Sequence, residues 1–219
     1  MIRPAALVCV VSVALVLAGA ADPAVVAAGS APKTYRILAG PWSKQPIAAP
    51  FPPAVTRTHL AGLTVTVEYL EPAARAAFVS AAAPDQDDLF TTGPGRPEAY
   101  HAFRVRIENG AGEAVTLQAG NILLVTDRGE QQFPIDMTDL YRLALHARLD
   151  DPDRIVRGVT RVMFDSSTQV PARGTMERLI VFRTLPEKWK EMRVVFSFLQ
   201  IGADTHSLSF LFHRRLVAR

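Results

Sequence analysis

Apolar and polar side chains alternate with a period of two residues over several short segments of this chain. From 63 to 69, and again from 101 to 107, apolar or aromatic residues occupy the odd positions and the even positions are mostly polar. Alternation of this kind predicts β-strands that bury one face. Apolar segments predict further strands at 115–119, 122–125, 176–182, 192–201 and 206–213. At 119–121 the alternation of apolar and polar residues is interrupted, which indicates a bulge.

Short glycine-containing clusters separate these segments, and one of them also carries charged side chains. Asp127, Arg128 and Gly129 stand between an apolar run and the polar residues that follow it. An aspartate accepts backbone hydrogen bonds at the start of a turn, and glycine adopts a positive φ. We therefore interpret this cluster as a hairpin turn and not as a reactive site. The sequence GADT at 202–205 predicts a second hairpin, between the last two strands.

Two segments carry apolar residues at helical spacing. In the first, the apolar side chains that share one side are Met137, Leu140, Tyr141, Ala144 and Leu145, after a cap at Asp136 or Thr138. In the second, Asp151 stands at the N-cap position and Pro152 at the first helical position. Its apolar stripe comprises Ile155, Val156, Val159, Val162 and Met163. The pattern predicts a helical insertion at about 137–163, whose second helix packs on the strands or across their open end.

The order of these elements predicts a mainly β fold, an antiparallel two-sheet β-sandwich with a short helical insertion before the last three strands. The segments FRVRIEN, VTLQ, the DRG turn and VPARGTMERLIVF together resemble immunoglobulin-like domains of uncharacterised bacterial envelope proteins. This resemblance implies an immunoglobulin-like sandwich, at about 56–219, and a location in the cell envelope.

The first residues have the features of a secretory signal peptide. Arg3 precedes an apolar run, and Ala18-Gly19-Ala20 forms a small-residue cleavage pattern, so residues 1–20 are predicted to be removed. The run is shorter than the roughly 20 residues that span a bilayer as a helix. We expect a periplasmic or secreted protein with no membrane span after cleavage; an uncleaved leader would anchor it. Residues 21–55 are rich in Ala and Pro and predict a loosely packed arm or tether.

Composition excludes several kinds of chemistry. The single cysteine, Cys9, lies in the predicted leader, so we expect a mature chain without disulfides, thiolate metal sites or a cysteine nucleophile. The 24 Lys and Arg residues nearly balance the 21 Asp and Glu residues. A balance of this kind does not indicate a nucleic-acid partner. Motifs for nucleotide or dinucleotide cofactors are absent, and we expect no cofactor.

Histidine and methionine are the remaining soft metal ligands. The five histidines, at 59, 101, 146, 206 and 213, do not stand at spacings that place two imidazoles on one face of an element. The methionines after residue 100 stand where core residues are expected. We therefore expect neither a metal site nor a catalytic set. The alternative is a periplasmic metal carrier or envelope enzyme whose site assembles from dispersed residues such as His101 and His206.

Three arginines form the main candidate binding site. Arg154, Arg157 and Arg161 follow i, i+3, i+7 spacing on the second predicted helix, opposite its apolar stripe. They would form either a solvated surface or a face that binds an envelope protein or an anionic ligand. The basic segment HRRLVAR at 213–219 leaves the same two alternatives open. The leading hypothesis is a non-catalytic, exported binding or assembly module of the bacterial envelope.

Overall fold

A computed structural model describes residues 34–84, 88–91, 98–146, 151–164, 166–185 and 188–218. The predicted signal peptide, the first part of the arm up to residue 33 and much of the loop at 83–98 lie outside the described residues. Within the described residues, no helix is both long enough and apolar enough to cross a membrane.

Strands account for most of the described elements. They are β1 (Tyr35–Ala39), β2 (Val55–Leu60), β3 (Leu63–Leu70), β4 (Tyr100–Asn109), β5 (Val115–Gln118), β6 (Ile122–Thr126), β7 (Gln131–Gln132), β8 (Ser167–Val170), β9 (Thr175–Arg183), β10 (Glu191–Ile201) and β11 (Asp204–Leu216). The helices are α1 (Pro72–Ala82), α2 (Met137–His146) and α3 (Pro152–Thr160). One turn of 3-10 helix at Ala119–Asn121 separates β5 from β6, where the sequence predicts a bulge.

The strands form two antiparallel sheets. One sheet has the order β2-β3-β4-β9, and the other has the order β1-β11-β10-β5-β8, with β6 also paired to β10 and β7 paired to β6. Residues at odd positions of β3 and β4, such as Val67 and Phe103, are buried against Val194 and Phe212 of the other sheet. This inner core confirms the predicted β-sandwich. Four strands follow the helices, one more than predicted, because β8 contributes only Val170 to the core.

The helices cover the outer face of the four-stranded sheet and enclose a second apolar core. Val79 of α1, Leu140 of α2 and Val159 of α3 are buried with Leu179 and Val181 of β9. Helices α2 and α3 confirm the two predicted helices, and the Asp151 carboxylate accepts a hydrogen bond from the Arg154 amide at 2.9 Å as an N-cap. The side chain of Ile155 lies outside the described part. Strand β9 is apolar on both sides because it separates the two cores.

The charged cluster after β6 is a turn, as predicted. Gly129 adopts a φ of 80°, and its amide donates to the Thr126 carbonyl oxygen at 3.0 Å. The side chain that satisfies this turn is Thr126, because its Oγ1 accepts from the amides of Arg128 at 3.3 Å and Glu130 at 3.2 Å. Asp127 instead accepts a hydrogen bond from the amide of Lys190, next to β10, at 3.0 Å. The aspartate therefore joins neighbouring segments.

Part of the predicted arm belongs to the sandwich. Strand β1 pairs with β11 along its whole length, and the amide of Ile47 donates to the carbonyl oxygen of Leu216 at 2.9 Å. The prediction of a loosely packed arm is therefore wrong for this segment. The prolines of the arm lie outside β1, at 23 and 32 before it and from 46 onwards after it, so they leave its backbone donors intact.

Candidate functional site

The three predicted binding arginines lie on the solvent side of α3 and just beyond its end. Arg154, Arg157 and Arg161 are all exposed. The Arg154 Nε lies 3.9 Å from a carboxylate oxygen of Asp151, so this cation is partly neutralised. Among the described residues, no carboxylate lies within ion-pair distance of Arg157 or Arg161. The predicted exposure is confirmed; a binding role for these arginines stays a prediction.

Helix α2 carries a second, outward-facing apolar stripe beside these arginines. Its members are Met137, Tyr141 and Leu145 of α2 and Phe133 just before it, which we call the apolar stripe. Phe133 is 66% exposed and Leu145 is 63% exposed. Of the five residues predicted to share one side of this helix, only Leu140 and Ala144 are buried, and Met137, Tyr141 and Leu145 are exposed beside them. The apolar residues of α2 therefore cover more of its circumference than the part that packs against the core.

Tyr141 connects the apolar stripe with α3. The Asp153 side chain, through a hydrogen-bonding interaction and its charge, raises the pKa of the Tyr141 hydroxyl. The charge of Arg157 acts on the same tyrosine in the opposite direction. The stripe and the arginines thus adjoin each other. Together they form one surface, which we call the helical face.

A groove adjoins the helical face at Phe133 and Met137. It has a volume of about 460 Å³, and the residues that line it include Phe133, Met137, Thr160, Met163 and Phe164. Phe133 and Met137 belong both to the groove and to the exposed stripe. A side chain from another molecule that packs on the stripe would therefore also reach a concave apolar surface.

Carboxylates balance the arginines of the helical face. Asp136 and Asp151 accept hydrogen bonds from the backbone amides of Asp139 and Arg154, respectively, as helix caps. Asp139 also lies 3.6 Å from Arg142 and 3.1 Å from Arg183. The face is therefore an apolar stripe with a rim of mixed charge, and it does not form a strongly cationic patch.

The histidines do not assemble into the predicted alternative site. Arg214 of β11 lines the same cavity as His101, and His206 lies eight positions earlier on that strand, which corresponds to roughly 26 Å at 3.3 Å per residue. Within the described residues, no three His, Cys, Asp or Glu side chains lie together in a way that could hold a metal ion. Met163 and Met192 are buried in the two cores, as predicted for core residues, but the same prediction is wrong for Met137, which is 41% exposed.

Part of the basic segment near the end of the chain packs against β1 and the loop after it, while Arg219 lies outside the described residues and a binding role for the segment stays a prediction. The His213 ring is buried, and its Nδ1 lies 2.8 Å from the Gly40 carbonyl oxygen. The Arg214 guanidinium lies 4.2 Å from the centre of the Tyr35 ring, and the Arg215 side chain donates to the carbonyl oxygen of Gln45. These contacts fasten β1 and its following loop to β11.

Comparison with known proteins does not assign a family. No family model matches the chain, and no curated protein matches it. A crystal structure of the YjhA protein from Bacillus subtilis is similar over 70% of this chain and 93% of that chain, with 7% sequence identity and a TM-score of 0.41. A similarity of this size supports no conclusion about function. The resemblance to immunoglobulin-like envelope domains stays a prediction.

Proposed function

We propose that this chain is a non-catalytic, exported binding module of the bacterial cell envelope that docks onto another envelope protein through its helical face. The observation that carries the proposal is the apolar stripe, which exposes four large side chains, Phe133, Met137, Tyr141 and Leu145. Exposed apolar residues are usually scattered singly over a protein surface, and a contiguous group is typical of an interaction site.

The chemistry of the helical face fits a protein partner. Aromatic residues, methionine and arginine are enriched at protein interfaces, and the stripe together with Arg157 and Arg161 supplies all of these types. An arginine at the edge of an apolar contact donates several hydrogen bonds in a fixed geometry. The mixed charges around the apolar stripe are typical of the polar rim that surrounds the apolar centre of a protein interface.

An anionic lipid surface is the less favoured partner. Adsorption to such a surface depends on an excess of positive charge, with each cation near the surface contributing about 1 kcal/mol. On the helical face, Asp139, Asp151 and Asp153 offset the arginines. An envelope protein with acidic side chains around an apolar patch accommodates this mixture better.

Paired surface variants test the proposal by affinity capture from the protein's own envelope, with partners quantified by mass spectrometry. In one variant Phe133 and Leu145 become serine, and in another Arg154, Arg157 and Arg161 become glutamate. Phe198→Asn is the control, because Phe198 is 67% exposed on β10 of the other sheet and has a φ of 55°, which asparagine tolerates. Thermal melts establish that all variants fold.

We expect a particular envelope protein to be recovered with the wild type and with Phe198→Asn, and to be lost with both helical-face variants. Recovery of the same proteins with all four would contradict the proposal. Retention on vesicles of anionic lipid that is lost only with the glutamate variant, without a protein partner, would replace the protein partner with a membrane surface.

A further inference from the structure

The helical face is formed by two helices that run in opposite directions. Met137, at the start of α2, lines the groove together with Thr160, at the end of α3. Tyr141, about one turn further along α2, interacts with Asp153 in the first turn of α3. The groove and the end of α3 therefore lie at one end of the apolar stripe, and the start of α3 lies beside its middle.

The exposed apolar side chains of α2 form a single row. Met137, Tyr141 and Leu145 are spaced four residues apart, and Phe133 stands four residues before Met137. Side chains four residues apart in a helix form a ridge, and two helices pack by placing the ridge of one in a groove on the surface of the other. At 1.5 Å per residue, the row from Met137 to Leu145 is roughly 12 Å long. It is long enough to pack against about two turns of a second helix.

The helical face offers side chains to a partner and very few backbone groups. The interior of a helix pairs its own amides and carbonyls, and the side chains of Asp136 and Asp151 already accept hydrogen bonds from amides at the starts of α2 and α3. An extended segment packed on this face would bury backbone donors and acceptors without partners, which is unfavourable. A helix satisfies its own backbone groups, so its apolar side can pack here without that penalty.

The second half of α3 determines the charge that the partner needs. Arg157 and Arg161 are exposed, and in the described ranges no carboxylate lies within ion-pair distance of either. The carboxylates of Asp139 and Asp151 lie close to other arginines. Positive charge without a matching carboxylate is therefore concentrated on either side of Thr160, which lines the groove. Acidic side chains on the partner would match this charge, and basic ones would be repelled.

We infer that the helical face binds an acidic amphipathic helix of its partner, an inference that rests on the proposed function. One side of this helix carries large apolar residues at spacings of three and four, which pack against the apolar stripe. One of these side chains enters the groove beside Phe133 and Met163. Carboxylates four residues apart on the adjoining side of the helix face Arg157 and Arg161, which are also four residues apart.

Three synthetic peptides of equal length test this partner on the folded protein. The first forms an amphipathic helix with leucines on one side and glutamates beside them. Lysines replace the glutamates in the second, and two central prolines interrupt the helix in the third. We expect the first to cause saturable NMR shifts of the Met137 and Leu145 methyl signals. The other two should bind at least about tenfold more weakly, because lysine is repelled by the arginines and proline breaks the helix.

A charge reversal on the protein tests the contact with the acidic side chains. Arg157→Glu together with Arg161→Glu should reverse the preference, so that the lysine peptide binds more tightly than the glutamate peptide. Arg57→Glu together with Arg193→Glu is the matched control, because these arginines are exposed on the two sheets and the net charge changes equally. The control should keep the wild-type preference. Thermal melts establish that both double variants fold.

The inference and the proposed function fail on different results. Equal affinity for the glutamate and lysine peptides, equal affinity for the proline peptide, or no saturable binding of any peptide would overturn the acidic helix. If affinity capture from the envelope still depends on the helical face in that case, only the helix is wrong. If capture does not depend on the helical face, the proposed function is wrong whichever peptide binds.

Discussion

Arg75 is a charged residue that the fold buries almost completely. Its guanidinium is 1% exposed and lies 2.7 Å from Asp88 and 3.2 Å from Glu98, and it donates to the Phe90 carbonyl oxygen at 2.9 Å. These contacts fix α1 to the loop before β4. The sequence did not indicate this cluster, because its members come from separate segments and a charged residue among alanines looks like a solvent-exposed one.

Removal of the Arg75 charge should destabilise the fold strongly. Arg75→Met leaves the buried Asp88 carboxylate without its cation and should lower the free energy of unfolding by about 3–5 kcal/mol. Arg104→Met is the control, because Arg104 pairs with Glu68 and Glu177 on a half-exposed sheet surface and should contribute about 1 kcal/mol or less. Urea denaturation measures both, and equal small losses would show that the buried pair does not stabilise the fold.

His101 should make stability depend on pH. Its pKa is about 4 in the folded chain and about 6.5 when unfolded, so the unfolded state binds more protons between these values. The stability that the neutral ring retains above pH 6.5 is therefore lost as the pH falls towards 4. Between pH 7 and pH 4.5 the wild type should lose roughly 2 kcal/mol more than His101→Phe, which cannot titrate.

Urea denaturation of both proteins at the two pH values isolates this contribution. The lowered pKa of His213 and the raised pKa of Glu71 affect both proteins alike, so the difference between the two reports His101. An identical pH dependence would mean that His101 is solvated in the native protein.

At the scale of elements, a regular apolar period made a segment predictable. Strands β3 and β4 bury alternate residues, and the cap at Asp151 marked the start of α3. Helix α1 was missed because most of its residues are alanines and only Arg75 and Val79 are buried. In β10, a register shift between Phe196 and Leu199 turns Phe198 outwards, which strict alternation does not predict.

Two substitutions on α3 test whether this helix packs into the second core. Val159 is buried against the outer face of the four-stranded sheet, so Val159→Asp would bury an unpaired charge and should cost on the order of 3–5 kcal/mol. Arg157→Asp on the exposed side of the same helix should change stability by about 1 kcal/mol or less. Thermal and urea denaturation compare the two, and a fold that tolerates both equally would place α3 outside the core.

At the scale of the whole molecule, the sequence predicted the sandwich and left open whether α3 packs on a sheet or across the open end of the strands. The apolar side of α3 must be covered by another part of the fold. Only the structure, in which β9 pairs with β4, shows that the covering surface is the outer face of one sheet. The sequence predicted the arginines of the helical face, but it did not predict that an exposed apolar stripe lies beside them, and it did not predict the cavity that His101 and Arg214 line. Both are formed by side chains that only tertiary packing brings together.

Export is a prediction about the whole chain that concerns residues outside the described part. Cleavage after Ala20 should give a mature protein that begins near Ala21, because Ala18-Gly19-Ala20 fits the small-residue pattern of a cleavage site. Intact-mass measurement of the protein from the envelope fraction checks this start. Recovery of the uncleaved chain in the membrane fraction would instead establish an N-terminal anchor.

Photo-cross-linking in living cells tests docking through the helical face most directly. A photoreactive amino acid replaces Leu145 on the apolar stripe in one strain and Phe198 on the opposite sheet in another, since the two side chains are similarly exposed. We predict a discrete cross-linked product with one envelope protein from position 145 and none from position 198. Equal patterns from both positions, or no product from position 145, would contradict the account.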